Sequence, residues 1–201
     1  MKKRITILIG THNKGKFKEI SYLMSKRIRK LDPNKFKIKS PKETGKSFRE
    51  NSILKANYFC NKSNLISISD DSGLSINCLE GKPGIYSSRW AKKYGGFKNA
   101  MRKIISLIEI KNRRKKIKNL KANFVCSLTL KFPKKKIITV EGRIYGTISK
   151  KIKGTNGFGY DSIFIPKGYK KTFGQMAKKK KILIDHRYIA FKKLKKRANF
   201  L

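Results

Sequence analysis

The apolar run in RITILIG (4–10) is unbroken by charge and too short for a helix, which is the pattern of a buried strand. THNKGK (11–16) follows as a loop that opens a helix. From Lys16 to about Lys26, Phe17, Ile20, Leu23 and Met24 fall on one helical face. Strand, loop and helix in that order make half of a βαβ unit. FKIKS (36–40) alternates and predicts a short strand. In ETGKSFRENSILKANYFCNKS (43–63), Ser47 and Glu50 have the spacing of a capping box, in which each side chain satisfies a free N–H of the first turn. Ile53, Ala56, Phe59 and Cys60 give that helix its apolar face. LISIS (65–69) predicts a strand ending at Asp70, and GLSINCL (73–79) alternates as a further strand.

The second half is as varied. GGFKNAMRKIISLIEIK (95–111) has a helical period, and NRRKKIKN (112–119) reads as a charged connection. ANFVCSLTLKF (122–132) and KIITVEGRIYGTI (136–148) are β-rich and joined by PKKK, most simply as an antiparallel hairpin. KGTNGFGYDS (153–162) is a glycine-rich loop before a short strand, IFIP (163–166). YKKTFGQMAKKKK (169–181) is irregular or partly helical. DHRYIAFKKLKKRANF (185–200) predicts a terminal helix with Asp185 as its N-cap. The chain therefore reads as a single mixed α/β domain over residues 1–201, with no internal repeat and no Pro/Ser-rich linker.

Composition adds one extreme: 53 Lys+Arg against 11 Asp+Glu, a net charge of +42. Such charge suits an anionic partner, whether nucleic acid, a membrane surface or a phosphorylated small molecule. It also suits codon drift, because Lys, Ile and Asn all have AT-rich codons. The lysines are scattered along the chain and not gathered in one arm, which favours drift. Three widely spaced cysteines without a C-x-x-C argue against a disulfide framework or zinc knuckle and fit a reducing cytosol. The run Ile5–Ile9 is too short for a signal-peptide core, and no segment is long enough to span a membrane.

Against this basic background, Asp70 and Asp71 stand side by side before Ser72 and Gly73. With Glu43 they offer hard oxygen donors of the kind Mg²⁺ takes in phosphate chemistry, and a carboxylate there can also accept a proton from water. Glu50 is explained by its capping role. The loop Thr11–Lys16 can present N–H groups and lysine charge to a phosphate, although it lacks the Walker spacing. In GTNGFGYDS, Phe158 or Tyr160 could stack on a base. Lys181, His186 and Arg187 supply donors near the C-terminal helix. Taken singly, each of these reads first as an ordinary turn, a core aromatic or a solvated charge.

Their order is more specific. T-x-N-x-x-K-x-x-E (Thr11, Asn13, Lys16, Glu19), E-T-G…F-x-E-N-x-x-x-K-A, DDSGL…G-x-P-G-I-Y-S-x-R, G-x-x-G-F-G-Y-D and K-x-x-x-x-H-R occur in sequence. Together, from about residue 5 to residue 198, they resemble the inosine/xanthosine triphosphate pyrophosphatases. The resemblance implies an α/β fold with a long mixed sheet flanked by helices, in two lobes around a central active-site cleft. It implies Mg²⁺-dependent hydrolysis of ITP, dITP and XTP to the monophosphate and pyrophosphate by a cytoplasmic homodimer. By position, Thr11, His12, Asn13, Lys14, Gly15 and Lys16 would hold the triphosphate. Glu43, Asp71 and Asp70 would bind Mg²⁺, Asp71 would accept the proton, and Ser72 would contact substrate. Phe158, Gly159, Tyr160 and Asp161 would form the base pocket, and Lys181, His186 and Arg187 would read the purine's 6-oxo edge. His12, Ser162, Gln175 and the KKKK run depart from the family pattern. The alternatives are a nucleic-acid-binding protein on a degenerate scaffold, or a pyrophosphatase for other modified nucleotides.

Overall fold

The computed structural model describes residues 4–114, 119–133 and 136–201. Part of the expected charged connection (115–118) and of the hairpin turn (134–135) lies outside the described residues. β1 (Thr6–Ile9) is the strand expected from the first apolar run. The Asn13 side chain accepts the Lys16 N–H at 3.0 Å, so α1 (Lys14–Leu23) starts earlier than hydrophobic spacing alone indicates. β2 (Arg29–Leu31) pairs in parallel with β1.

FKIKS is not a strand. Asp32 accepts the Asn34 N–H at 2.8 Å and caps a 3-10 turn over Pro33–Phe36, which ends at Lys37 with φ 53°. Asp-Pro-Asn turn chemistry claims this stretch before any sheet can. Ile38 then packs as a loop residue against Leu8, Leu31 and Phe59. α2 (Phe48–Ser63) has the expected N-terminus: Ser47 Oγ accepts the Glu50 N–H at 3.1 Å, and Glu50 Oε2 reaches back to the Lys46 N–H at 2.9 Å.

β3 (Ile66–Ile76) is one continuous strand where two were expected. Asp70 and Asp71 therefore lie mid-strand. The strand end that matters belongs to β1: its parallel pairing stops with Ile9 opposite Ile68, and the Gly10 N–H adds a last link to Ile68 O at 2.8 Å. The aspartates lie just beyond that edge. Then come α3 (Ser87–Lys93), α4 (Phe97–Arg114), β4 (Lys121–Lys131) and β5 (Ile137–Ile148). The Phe132 N–H bonds Lys136 O at 2.9 Å across the β4–β5 connection, which is too short for anything but a hairpin. β6 (Phe164–Pro166) runs antiparallel to β5, and α5 (Lys178–Ile182) and α6 (His186–Arg197) complete the chain. The sheet is mixed, in the order β2-β1-β3-β4-β5-β6, and the fold class is α/β.

The chain forms two compact units. The first comprises Met1–Asp71, Cys126–Gly142 and His186–Leu201, and the second Ser72–Val125 and Arg143–Asp185. Each has its own core. In the first, Ile7, Ile9 and Ile68 pack with Ile20 of α1 and Phe191 and Leu194 of α6. Leu8, on the opposite face of β1, packs with Phe59 of α2. Helices thus cover both faces of these parallel strands, as their unbroken apolar sequences require. In the second, Leu74, Ile76, Ile104, Phe124, Phe164 and Phe173 form the centre.

Candidate active site

Successive side chains on a strand point to opposite faces. Asp70 shares the face of Ile68, under α1 and α6, whereas Asp71 shares the face of Ser67 and Ser69, under α2. Their partners follow from this. Asp70 Oδ2 accepts from Arg187 Nε and Nη2 at 3.2 and 3.1 Å and pairs with Lys16 Nζ at 3.3 Å. Arg187 Nη1 also meets the Glu19 carboxylate of α1. The Arg187 side chain is 1% exposed, so this guanidinium is committed within the first unit. A buried ion cluster of this kind is tolerable only when its charges are paired and hydrogen-bonded.

Asp71 faces a different set. Asn51 Nδ2 donates to its Oδ2 at 3.2 Å and Lys55 Nζ to its Oδ1 at 3.3 Å. The same ammonium pairs with Glu43 Oε1 at 2.6 Å. Burial acts to lower the Lys55 pKa, but the charges of Asp71, Glu43 and Asp70 overcome it and hold the group above its ordinary value. Burial pushes the Asp71 pKa up, opposed by Lys55 and Lys16 and reinforced by Glu43 and Asp70. The net effect holds the Asp71 carboxyl above its ordinary pKa.

The Thr11–Lys16 loop is ordered by its own side chains. Thr11 Oγ1 accepts the Asn13 N–H at 3.1 Å, and Asn13 in turn caps α1. Lys14, Gly15 and Lys16 form the first turn of that helix, whose N-terminal N–H groups and dipole favour an anion. His12 is exposed, and its Nδ1 bonds Ser40 Oγ at 2.7 Å.

The second unit holds the other group. Lys181 is turned inward while Lys178, Lys179 and Lys180 are exposed. Its ammonium pairs with Asp161 and Asp185 at 3.3 and 3.2 Å and lies 5.0 Å from the Phe158 ring centroid and 5.6 Å from that of Phe173. Asp161 Oδ2 accepts the Phe158 N–H at 3.0 Å and closes the loop. Gly157 is required there: its φ is 77°, and a Cβ would lie 2.1 Å from Asp161 Oδ2. Tyr160 is buried, its hydroxyl donates to Ser87 O at 2.9 Å, and burial holds its pKa above the ordinary value. Ser87 Oγ meanwhile accepts the Leu74 N–H at 3.0 Å.

Two departures from the family pattern have local explanations. Ser162 Oγ donates to Gly154 O at 2.8 Å. Gln175 forms a capping box with Thr172, for which a glutamine serves as well as a glutamate.

The structure thus joins Lys16 and Asp70 in one cluster and Glu43 and Asp71 in another. Phe158, Asp161 and Lys181 form a third. Arg187 lies between Glu19 and Asp70 in the first unit, and Lys181 lies between Asp161 and Asp185 in the second. His186 is buried at the start of α6, and Ser72 is half-buried on β3. Glu19, Asn51 and Lys55 were not expected as site residues, although each occurs in the ordered motifs. Among the described residues, no three His, Cys, Asp or Glu side chains cluster as a metal cage. Mg²⁺ needs only one or two carboxylates beside water and phosphate oxygens. Glu43 and Asp71, which already converge on one cation, meet that requirement, whereas Asp70 faces the opposite side.

Residues 7–197 match the model of the Ham1 family. The chain belongs to that family. It is 38% identical over 189 residues to the dITP/XTP pyrophosphatase of Caulobacter vibrioides, covering 94% of this chain and 95% of the relative. It is also 38% identical to the Bacillus subtilis protein of the same name, covering 94% of each. Among solved Ham1 structures, the HAM1 protein from Coxiella burnetii aligns with a TM-score of 0.87 at 28% identity, covering 98% of this chain and 100% of the other. The Staphylococcus aureus Ham1 protein gives 0.82 at 30%, covering 96% and 98%. Among the described residues, no helix is long and apolar enough to cross a membrane.

Proposed function

We propose that this Ham1 chain hydrolyses dITP, ITP and XTP between the α- and β-phosphates, releasing the nucleoside monophosphate and pyrophosphate, with Mg²⁺ as its metal. The observation that carries the reading is the convergence of Glu43 and Asp71 on the Lys55 ammonium, beside the phosphate-suited start of α1. Glu43 and Asp71 would hold the ion, which would polarise the phosphate oxygens and offset their charge. The Thr11–Lys16 loop binds the triphosphate through its N–H groups and lysines. Asp71 takes the proton from the attacking water as the phosphoanhydride bond breaks and pyrophosphate departs. Lys55 keeps the two carboxylates together and stays cationic through the step.

Phe158 stacks on the base, and Lys181 donates to its 6-oxo group. Adenine presents an amino donor at that position, so a donor meets a donor and the mismatch is strongly disfavoured. Arg187 orders Asp70 and Glu19. The active form is a cytoplasmic homodimer. Anion-exchange separation of the products from dITP tests the reaction: dIMP and pyrophosphate are expected, and dIDP with orthophosphate would refute the bond assignment.

A further inference from the structure

Resting on that reading, we infer that Asn51 is a positioning residue whose carboxamide ties the loop carrying Glu43 to Asp71, so that the two carboxylates converge on one cation. Asn51 is fully buried. Its Oδ1 accepts the Gly45 N–H at 2.8 Å and its Nδ2 donates to Asp71 Oδ2 at 3.2 Å. A carboxamide can accept on one side and donate on the other without charge. Aspartate could not donate in its ionised form and would repel Asp71, and an apolar residue would leave both partners unmet in a buried place.

The loop is built to meet this amide. A Cβ on Gly45 would lie 2.7 Å from Asn51 Oδ1 and 2.9 Å from Asn51 N, so only glycine lets the loop come this close. Holding Gly45 holds the segment from which Glu43 reaches Lys55 at 2.6 Å. Asp71 is then held at both oxygens by donors on consecutive turns of α2, Asn51 and Lys55. The helix does not depend on Asn51 for its own seat. Ser52 Oγ bonds Ser127 Oγ and Thr129 Oγ1 at 2.8 Å each, and the Ser47–Glu50 cap fixes its start. Asn51 therefore sets the geometry of the carboxylates, while other residues anchor the helix.

Asn51→Ala removes the bridge from the helix side, and Gly45→Ala displaces it from the loop side. Pyrophosphate release from dITP is measured across an Mg²⁺ titration. Mn²⁺ binding without nucleotide, followed by loss of the free-ion EPR signal, reads the carboxylate pair apart from turnover. A wild-type protein that binds Mn²⁺ but turns over no dITP would sink the pyrophosphatase reading and leave the Asn51 test standing. For Asn51→Ala, kcat is expected to fall about 10- to 100-fold and Mn²⁺ affinity about 10-fold, the usual range for residues that orient metal ligands. The Mg²⁺ midpoint rises in parallel and KM for dITP at saturating metal is unchanged. Gly45→Ala shifts both metal readouts the same way by less, and it carries the test if Asn51→Ala fails to fold. Wild-type metal readouts in a folded variant would overturn the inference, because a purely structural role would lower the melting temperature and leave the midpoints alone.

Discussion

On the face of β3 covered by α1 and α6, Asp70 is closed in by Arg187, Lys16 and, through Arg187, Glu19. On the face covered by α2, Asp71 meets Asn51 and Lys55, and its companion Glu43 keeps 30% of its side chain exposed. Adjacent residues of one type thus enter two environments because a strand alternates its side chains. On the closed face the buried Arg187 is shared between Asp70 and Glu19. The open face keeps one of its two carboxylates partly exposed, and the proposed function assigns the chemistry to it. The second unit offers a third arrangement, in which Lys181 is held by two aspartates and two aromatic rings, a setting suited to recognition.

Substitutions can break this contrast. Asp71→Asn is expected to lower kcat for dITP at least about 10³-fold, within the range of a lost general base. Its circular dichroism and melting temperature should stay near those of the wild type. Equal loss of turnover in a well-folded Asp70→Asn protein would erase the distinction between the faces. Arg187→Ala removes the cation shared by two buried carboxylates and should cost about 3–5 kcal/mol in urea unfolding, as broken buried pairs do. Adding Asp70→Asn should recover part of that loss, and no recovery would separate Arg187 from Asp70 energetically. Phe158→Ala should raise KM for dITP about 10-fold, from a stacking contribution of about 1–3 kcal/mol. The Mg²⁺ midpoint should not move.

The smallest effect belongs to the α2 cap. Ser47→Ala should cost about 1 kcal/mol in thermal unfolding. Bonds from the Lys46 N–H and the Ser47 hydroxyl hold the Glu50 carboxyl below its usual pKa. Its stabilising contribution is therefore complete above the ordinary carboxylate range and is lost as pH falls through the lowered value. The Ser47→Ala difference should shrink in acid and stay constant from pH 6 upward.

Local signals were legible from sequence wherever one interaction decided the outcome. The first apolar run became β1, the Ser47–Glu50 spacing became a cap, and PKKK joined a hairpin. FKIKS alternates yet forms no strand, because Asp32 and Pro33 impose a turn that outweighs alternation. The break expected in β3 at Asp70 does not occur, because buried partners on both faces let charged residues continue a central strand. Ser47, Glu43 and the aspartates could be picked out as residues, but the partition of Asp70 from Asp71 could not. That partition depends on which helix covers which face. Asn51, Lys55 and Glu19 were visible only as letters within ordered motifs, since a buried amide or lysine has no periodic signature. The pairing of Arg187 with Asp70 and Glu19 was likewise illegible, because it joins residues 117 and 168 positions apart in the chain.

The most direct test is pyrophosphate release from dITP, XTP, dGTP and dATP, each with Mg²⁺ and again with EDTA. The account predicts strong release from dITP and XTP with Mg²⁺, little from dGTP or dATP, and none with EDTA. Release that ignores EDTA, or no release from any of the four, would contradict it, and the latter would turn attention to nucleic acid as the target of the +42 charge.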